Sequence, residues 1–452
     1  MTRLLPFLLF FMTLISSVAA QDTAAVSNEN DELNTISKPR EPSEKEAALN
    51  DFILQFSRQK IHEEHHCYIA FKNVSVLDAE NNKLRKHRTV IVEDGWVKEI
   101  RISFFTFSLK GAKIIDGKGK VLAPALTDMH VHFTCTNRDR LQYLLYGVTT
   151  IRNMSGYEYH LRDKSFISSG DILSPELYTC GPEFSGTDTS GFWQAVTDQQ
   201  NAGYDFLKSS RSMNKESLLA LLDYAKNAGM KVTVELPAGV TPASLSMYKD
   251  MITIDGYTGI SNGKKVKLNE NDSIWYCPAF ASGSEVIRTK ALKDFLDKPE
   301  YSMISDKQAL IAERSSRDID LSLSSNFKSK KSYYGGKAKK GLRILAGTES
   351  GLPLPMLVPG PSLHNEMKEL IQLGFKINEA ILAATRNPAI VIADEYNSGR
   401  IREKERTGLV LLDEDPLENI ENYKKIEGVY VNGTWLSSED LKVIRAKLEQ
   451  IK

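Results

Sequence analysis

Between Ala123 and Ser350 the chain alternates eight short apolar or β-branched runs with stretches of helical spacing. The runs are "APALTDMHVHF", "GVTTIRNMS", "ELYTCGPEF", "YDFLKSS", "KVTVELP", "TIDGYTG", "SIWYCPAF" and "RILAGTES"; "KESLLALLDYAKNAG" and "SGSEVIRTKALKDFLDK" are examples of the helical stretches. Short buried strands joined by helices pair in parallel, because a parallel pair needs a crossover that a helix supplies. Eight such units predict a (β/α)8 TIM barrel, whose reactive side chains sit where strands end and loops begin. The last residues of each run are therefore the ones that can carry chemistry.

A different texture flanks this region. "YIAFKNVSVLDAE" and "HRTVIVEDGWVKEI" alternate apolar and polar residues, with "EDG" as a hairpin turn, and similar texture returns in "TGLVLLDEDPLENI" and "IEGVYVNGTWL". This predicts a small β-sandwich domain built from both chain ends. Residues 46–120 supply an N-terminal helix and its first half, the barrel takes 121–395, and residues 396–452 supply the second half and a last helix.

The chain of 452 residues opens with Arg3, an apolar run and "VAA" before Gln21, the pattern of a signal peptide cleaved after Ala20. A secreted or periplasmic protein is expected, with an uncleaved membrane anchor as the alternative. Residues 21–45 are polar and lack aromatics, which predicts a flexible leader. Lysine plus arginine and aspartate plus glutamate number 58 each, so nothing favours nucleic acid or an anionic membrane as partner. A small-molecule substrate is expected, and a homo-oligomer is left open. Cys67, Cys135, Cys180 and Cys277 are too widely spaced for a metal signature; disulfides and buried free thiols both stay possible. His62, His65 and His66 read as a solvated helix end, or as an opportunistic metal cluster.

The first run ends in His130 and His132. On a strand residues i and i+2 share a face, so the two imidazoles can bind one ion. Taken with the preceding residues, "IIDGKGKVLAPALTDMHVHF" resembles the entry to the barrel in the amidohydrolase superfamily. "GVTTIRNMSG" is similar to that superfamily's second strand, "ILAGTESG" to its eighth, and "LHNEMKELIQLGFKINEAILAATRNPAIVI" to its last helices. The likeness runs from about Tyr68 to Trp435 and is greatest to the imidazolonepropionase-like and prolidase-like branch. That branch implies a metal-dependent hydrolase acting on carbon-nitrogen bonds.

The resemblance implies metal ligands at His130 and His132 and a lysine, Lys208, which becomes carbamylated in such proteins. The remaining positions depart. Glu235 stands where a strand-five histidine would be, Thr258 or Gly259 where the strand-six histidine would be, and Glu349 in place of an aspartate. None of the eight histidines lies between His160 and His364, so no realignment restores the pair. One reading is a modified hydrolase: one divalent ion, zinc by preference, held by His130, His132, Lys208, Glu235 and Glu349, with Glu349 the catalytic proton carrier for an amide or cyclic amide of a small molecule. The other is a catalytically inactive binding or interaction protein on the same scaffold. His364 is a candidate substrate contact or a helix cap. "SRDIDLSLSSNFKSKKSYYGGKAKKG" reads as a mobile loop over the mouth, or an ordinary solvated connection.

Overall fold

The computed structural model describes residues 44–64, 68–104, 109–266, 273–282, 320–335, 341–351, 357–394 and 396–450. The expectations for the export segment, most of the leader, His65, His66 and Cys67 fall outside them. Among the described residues no helix is long and apolar enough to cross a membrane, and Cys135, Cys180 and Cys277 are free.

After a first helix, α1 (Glu44–Glu64), the chain runs β1 (Tyr68–Asp78), β2 (Lys83–Glu93), β3 (Trp96–Ile102), β4 (Ala112–Asp116) and β5 (Val121–Pro124). The β2–β3 turn consists of Asp94 and Gly95, both at positive φ, 48° and 81°. That conformation matches the right-handed twist of the flanking strands, which is why an Asp-Gly pair forms it.

The far end returns as β17 (Leu409–Leu412), β18 (Ile426–Val431) and β19 (Thr434–Ser437). β5 is the strand that joins the two ends: it pairs parallel with β1 through Ser75 and Val76, and antiparallel with β17 from Leu409 to Leu412. The result is one eight-stranded sheet in the order β19-β18-β17-β5-β1-β2-β3, with β4 also on β1. The two ends are bonded edge to edge through this shared strand, and the sheet folds over a common core of Ile69, Phe71, Val90, Val92, Leu409, Tyr430 and Trp435. Trp435 closes this core, packing edge-on to Phe71 at 5.0 Å between ring centroids.

Two arcs of parallel strands make up the middle. One has the order β16-β6-β7-β8, from β6 (Leu126–His132), β7 (Val148–Asn153), β8 (Glu176–Thr179) and β16 (Ser350–Gly351). The other has the order β15-β14-β11-β10-β9, from β9 (Phe206–Ser209), β10 (Lys231–Val234), β11 (Ile252–Asp255), β14 (Trp275–Cys277) and β15 (Arg343–Ile344); Ile260–Ser261 and Lys264–Lys265 form a two-strand excursion, β12 and β13. Isolated parallel bridges Cys180↔Phe206 and Phe184↔Ser209 link the arcs on one side. On the other, Met129 N donates to Ala346 O at 3.0 Å.

Helices follow strands: α2 (Asn137–Leu145) after β6, α3 (Glu158–Ser168) after β7, α4 (Phe192–Ala202) after β8 and α5 (Lys215–Ala228) after β9. α5 shows why these segments are helical. Asn214 accepts from Ser217 N at 2.8 Å as N-cap, Gly229 ends the helix at φ 69°, and Leu218, Leu221, Leu222 and Ala225 recur at one face's spacing and are buried. Asp320–Tyr334 is a further helix, α6, so that part of the segment read as a loop is regular structure. α7 (Pro361–Gln372), α8 (Ile377–Ala383), α9 (Arg386–Ile392) and a last helix, α10 (Ser438–Glu449), complete the set.

Because Trp435 lies 4% exposed where the chain's two ends meet, Trp435→Ala should lower stability by about 3–5 kcal/mol, read as a reduced denaturant midpoint. An unchanged midpoint would show that the ends are held together by something other than this contact.

Candidate functional site

β6 carries Asp128, His130 and His132 on one face, and each is locked differently. Asp128 is fully buried and clamps β6 to the segment before β16. Its Oδ1 accepts from His130 N at 3.3 Å and Thr348 N at 3.1 Å, and its Oδ2 from Thr348 Oγ1 at 2.7 Å. Burial pushes its carboxyl up to about 7 against those three donors. Gly347 makes the approach possible: a Cβ there would lie 2.4 Å from Cys277 Sγ and 2.8 Å from His130 Cβ.

His130 Nδ1 lies 2.7 Å from Asp255 Oδ2, and His132 Nδ1 lies 2.7 Å from Ser155 Oγ. Both imidazoles therefore engage Nδ1 and leave Nε2, with ring centroids 5.4 Å apart. Partners on Nδ1 are the usual means of fixing the tautomer and ring plane of a histidine that ligates through Nε2. Burial, then His130 and Lys208, depresses the basicity of His132 well below 6.5, with Glu235 opposing.

Asp255 ends β11 inside the molecule. It faces His130 and also the Arg152 guanidinium, 3.3 Å from Arg152 Nη2, while Arg152 Nε donates to Met129 O at 2.8 Å. By sequence Thr258 or Gly259 stands where a strand-six histidine would be, which leaves that position without a ligand. The strand stops at Asp255, and Gly256 follows at φ 62°.

Lys208, at 1% exposure, sits between two carboxylates, 2.6 Å from Glu183 Oε2 and 3.2 Å from Glu235 Oε1. Arg211 Nε approaches Glu235 Oε2 at 3.1 Å. Burial opposes the charge on Lys208, but Glu235 and Glu183 outweigh it and raise its affinity for the proton. Burial alone would raise Glu235, yet Lys208, Arg211 and His130 hold its carboxyl below the usual carboxylate range. The chain thus places an ammonium, and not a neutral amine, at this position.

Glu349 adopts φ 60°, a left-handed conformation that a non-glycine residue holds only when its surroundings impose it. Here Glu349 N donates to His130 O at 2.7 Å. The half-buried side chain faces Gly256, where a Cβ would stand 3.9 Å from Glu349 Oε1 and 2.7 Å from the Arg211 guanidinium. His130, His132, Lys208, Glu235 and Glu349 accordingly converge on the carboxyl ends of the strands.

His364 does not join them, and its reading as a substrate contact is corrected. Its Nε2 donates to Tyr146 O at 2.8 Å, next to Gly147 at the start of β7, and its ring lies 6.5 Å from Tyr423, whose hydroxyl donates to Pro124 O. That is the opposite end of the strands. Burial pushes it down to about 4, the behaviour of a neutral core histidine.

Among the described residues one group of His, Cys, Asp or Glu brings three ligand atoms within 4.8 Å of one another: His130, Asp255 and Cys277. Asp255 is already shared between His130 and Arg152, and burial raises the Cys277 thiol far above its ordinary range. We read this trio as a packed polar cluster beneath the histidines. Sequence reasoning missed Asp255, Glu183, Arg211 and Ser155. Asp255 is the last residue of its strand and the other three lie in the loops just beyond theirs, so a scan of every polar residue around each strand end would have included them. It also missed Glu366, which accepts from Ala281 N at 2.6 Å and braces the turn after β14, and Lys330 of α6, which donates to Ala279 O at 3.4 Å in the same turn.

No family model matches the chain. A dihydroorotase from Sulfurihydrogenibium sp. (strain YO3AOP1) is 37% identical over 65 residues, 14% of this chain and 15% of that protein. The chain thus aligns with about one seventh of its curated relative's length. Bottromycin amidohydrolase is similar in structure at TM-score 0.72 and 18% identity, covering 88% of this chain and 93% of that one. Molinate hydrolase follows at 0.64 and 16%, over 84% and 96%, and A. niger ochratoxinase at 0.62 and 15%, over 83% and 97%. The chain shares its fold with these hydrolases.

Two outcomes follow from the site's electrostatics. Lys208→Met removes the ammonium from Glu183 and leaves Glu235 to Arg211, and should cost about 3–5 kcal/mol in equilibrium unfolding, part of it restored by adding Glu183→Gln; no loss would mean that solvent already screens the pair. Burial holds the Glu366 carboxyl up at about 8 from 4.5, against the Ala281 and Phe280 amides. The native state therefore keeps a proton that the unfolded chain releases, and wild-type stability falls relative to Glu366→Gln as pH rises from about 4.5 to 8. Parallel stability curves for the two proteins across that window would refute this placement of charge.

Proposed function

We propose that the chain hydrolyses an amide or cyclic amide C–N bond of a small molecule, using one divalent ion held by His130, His132 and Glu235. The observation that carries this reading is the pair of imidazoles with Nδ1 engaged by Asp255 and Ser155 and Nε2 directed elsewhere. Two imidazoles and a carboxylate are donors of the kind zinc takes, and the depressed basicity of His132 keeps it neutral and able to ligate; their ligand atoms do not all stand within 4.8 Å of one another, so Glu235 must turn from Lys208 and Arg211 to complete the set. When bound, such an ion polarises a carbonyl and makes water more acidic. The fold neighbours, among them amidohydrolases and a hydrolase of molinate, support C–N chemistry as the class. We also infer that the two arcs close into a barrel of eight strands, β15 and β16 being two pieces of the last one, which the bridges at one seam and the Met129–Ala346 bond at the other support.

The chain's own groups then divide the work. Glu349, with a half-buried carboxylate beside Gly256 and a backbone fixed by His130 O, takes and returns the proton. Arg211, 52% exposed at its side chain and tied to Glu235, offers a guanidinium at the rim for a substrate carboxylate. Lys208 acts as an ammonium that keeps Glu235 ionised and oriented. A carbamate on Lys208 would require a neutral amine and would set a third negative group against Glu183 and Glu235, so this reading does not use one.

The same ion pairs favour the second reading, a binding protein without chemistry. Lys208 and Arg211 already neutralise Glu235, and a divalent ion must compete with both. The apolar leader, with Arg3 before it and "VAA" behind it, supports export of either kind of protein.

Metal analysis of the mature chain after incubation with zinc decides between the two. The hydrolase reading expects one equivalent in the wild type, loss of both metal and amide hydrolysis in His132→Ala, and Glu349→Gln retaining metal while losing at least about a hundredfold in rate. Acidification should release the ion only below the ordinary histidine range, about pH 6.5, because protons compete for an imidazole of depressed basicity. A wild type that takes up no metal leaves the binding reading standing, whereas a His132→Ala variant that hydrolyses normally overturns the assignment of the chemistry to this site.

A further inference from the structure

The opposite end of the barrel strands contains a cavity of about 150 Å³, lined by the first residues of consecutive strands: Phe206 of β9, Lys231 of β10, Ile252 of β11, Trp275 of β14 and Arg343 of β15. Ile390, Val391 and Ile392 of α9 cover it from below. It is thus a floor chamber, removed from Glu349 and the free sides of the histidines by the length of the strands. At ~30 Å³ per molecule its volume holds about five waters, enough for a small tetrahedral ion.

The lining is unbalanced in charge. Arg152, Lys231, Lys249 and Arg343 face two carboxylates, Asp205 and Asp250. Asp205 is occupied, since it pairs with Lys164 and accepts from Thr179 N at 2.8 Å, and Asp250 is exposed at the rim. Arg152 is buried, with Nη1 3.3 Å from Thr253 Oγ1 and Nη2 3.3 Å from Asp255, both long for a guanidinium. Arg343 lies over Trp275 and donates one N–H to Ser273 O at 3.0 Å. The ammonium of half-buried Lys231 makes no hydrogen bond or ion pair among the described residues. The Thr253 hydroxyl donates to Thr233 Oγ1 at 3.2 Å, which leaves the Thr233 O–H as a donor on the same wall.

We propose that this floor chamber is a binding site for a small oxyanion, held between Lys231 and Arg152 with Arg343 at its edge. A half-buried ammonium that forms no ion pair carries a desolvation cost that the exposed Asp250 carboxylate offsets only from a distance, and a bound anion removes it. Consistent with this, burial and the neighbouring Arg152 charge make Lys231 a poorer base than usual, with Asp250 opposing. Bidentate guanidinium and ammonium donors over a hydroxyl-bearing wall are the chemistry that recognises phosphate or sulfate.

Calorimetric titration of the full mature chain with inorganic phosphate tests the site. Saturable binding at one equivalent is expected, weakened at least about tenfold by Lys231→Met, the loss of one charge-assisted contact, and weakened also by Arg343→Gln, which alters an exposed side chain and leaves the core intact. Arg211→Gln, at the far end, should bind phosphate as the wild type does. The absence of saturable binding overturns the proposal. So does binding that survives both floor substitutions, or binding lost in Arg211→Gln alone, which would locate the anion at the mouth.

Discussion

The Asp255 carboxylate is the interaction on which the interior depends. It sits at zero side-chain exposure between the imidazole of His130 and the guanidinium of Arg152, so one buried anion satisfies two cationic or donating groups from different strands. Without it His130 would have no reason to keep its ring plane, and Arg152 would be a solitary charge in an apolar setting, a condition that costs several kcal/mol. The pairing also ties the carboxyl end of the strands to the floor, since Arg152 borders the chamber there while its partner holds a histidine of the mouth.

Much of the architecture was legible from the chain. Apolar runs with a fixed hand of connection name their strands, the Asp94-Gly95 turn is written in residues that tolerate positive φ, and the i, i+2 spacing of His130 and His132 places both on one face. Asp255 was missed because "TIDGYTG" was read as strand to its end, whereas the strand stops at its third residue and the chemistry sits there. Glu183 and Arg211 lie in loops, where no periodicity marks a residue as inward. The serines and lysines of "DLSLSSNFKSKKSYY" suggested solvent, yet Phe327, Lys330 and Tyr334 recur at helical spacing and are covered. His364 follows a Gly-Pro pair that fixes a helix start without saying which end of the barrel that helix faces.

At the mouth, two ways of balancing charge compete for the same carboxylate. Glu235 can be satisfied by Lys208 and Arg211 or by a divalent ion, and the second requires the cations to yield part of their hold. Both cations lie within ion-pair distance of that carboxylate, and only Arg211 is exposed enough to swing into solvent at little cost. Lys208 is confined, and Glu183 gives it a second anion of its own. This asymmetry lets the site gain an ion without leaving a buried ammonium unpaired.

The outer sheet and the inner strands are separated in the chain by a single residue, Ala125, between the end of β5 at Pro124 and the start of β6 at Leu126. That residue is itself pinned, its N–H donating to Gly408 O at 2.9 Å. A junction this short has no slack to act as a hinge, so the sheet is a rigid handle on the strand that bears the histidines. At this junction a shift of the outer layer carries the histidine-bearing strand with it, whereas the return path from Ile392 to Leu409 is long enough to absorb insertions.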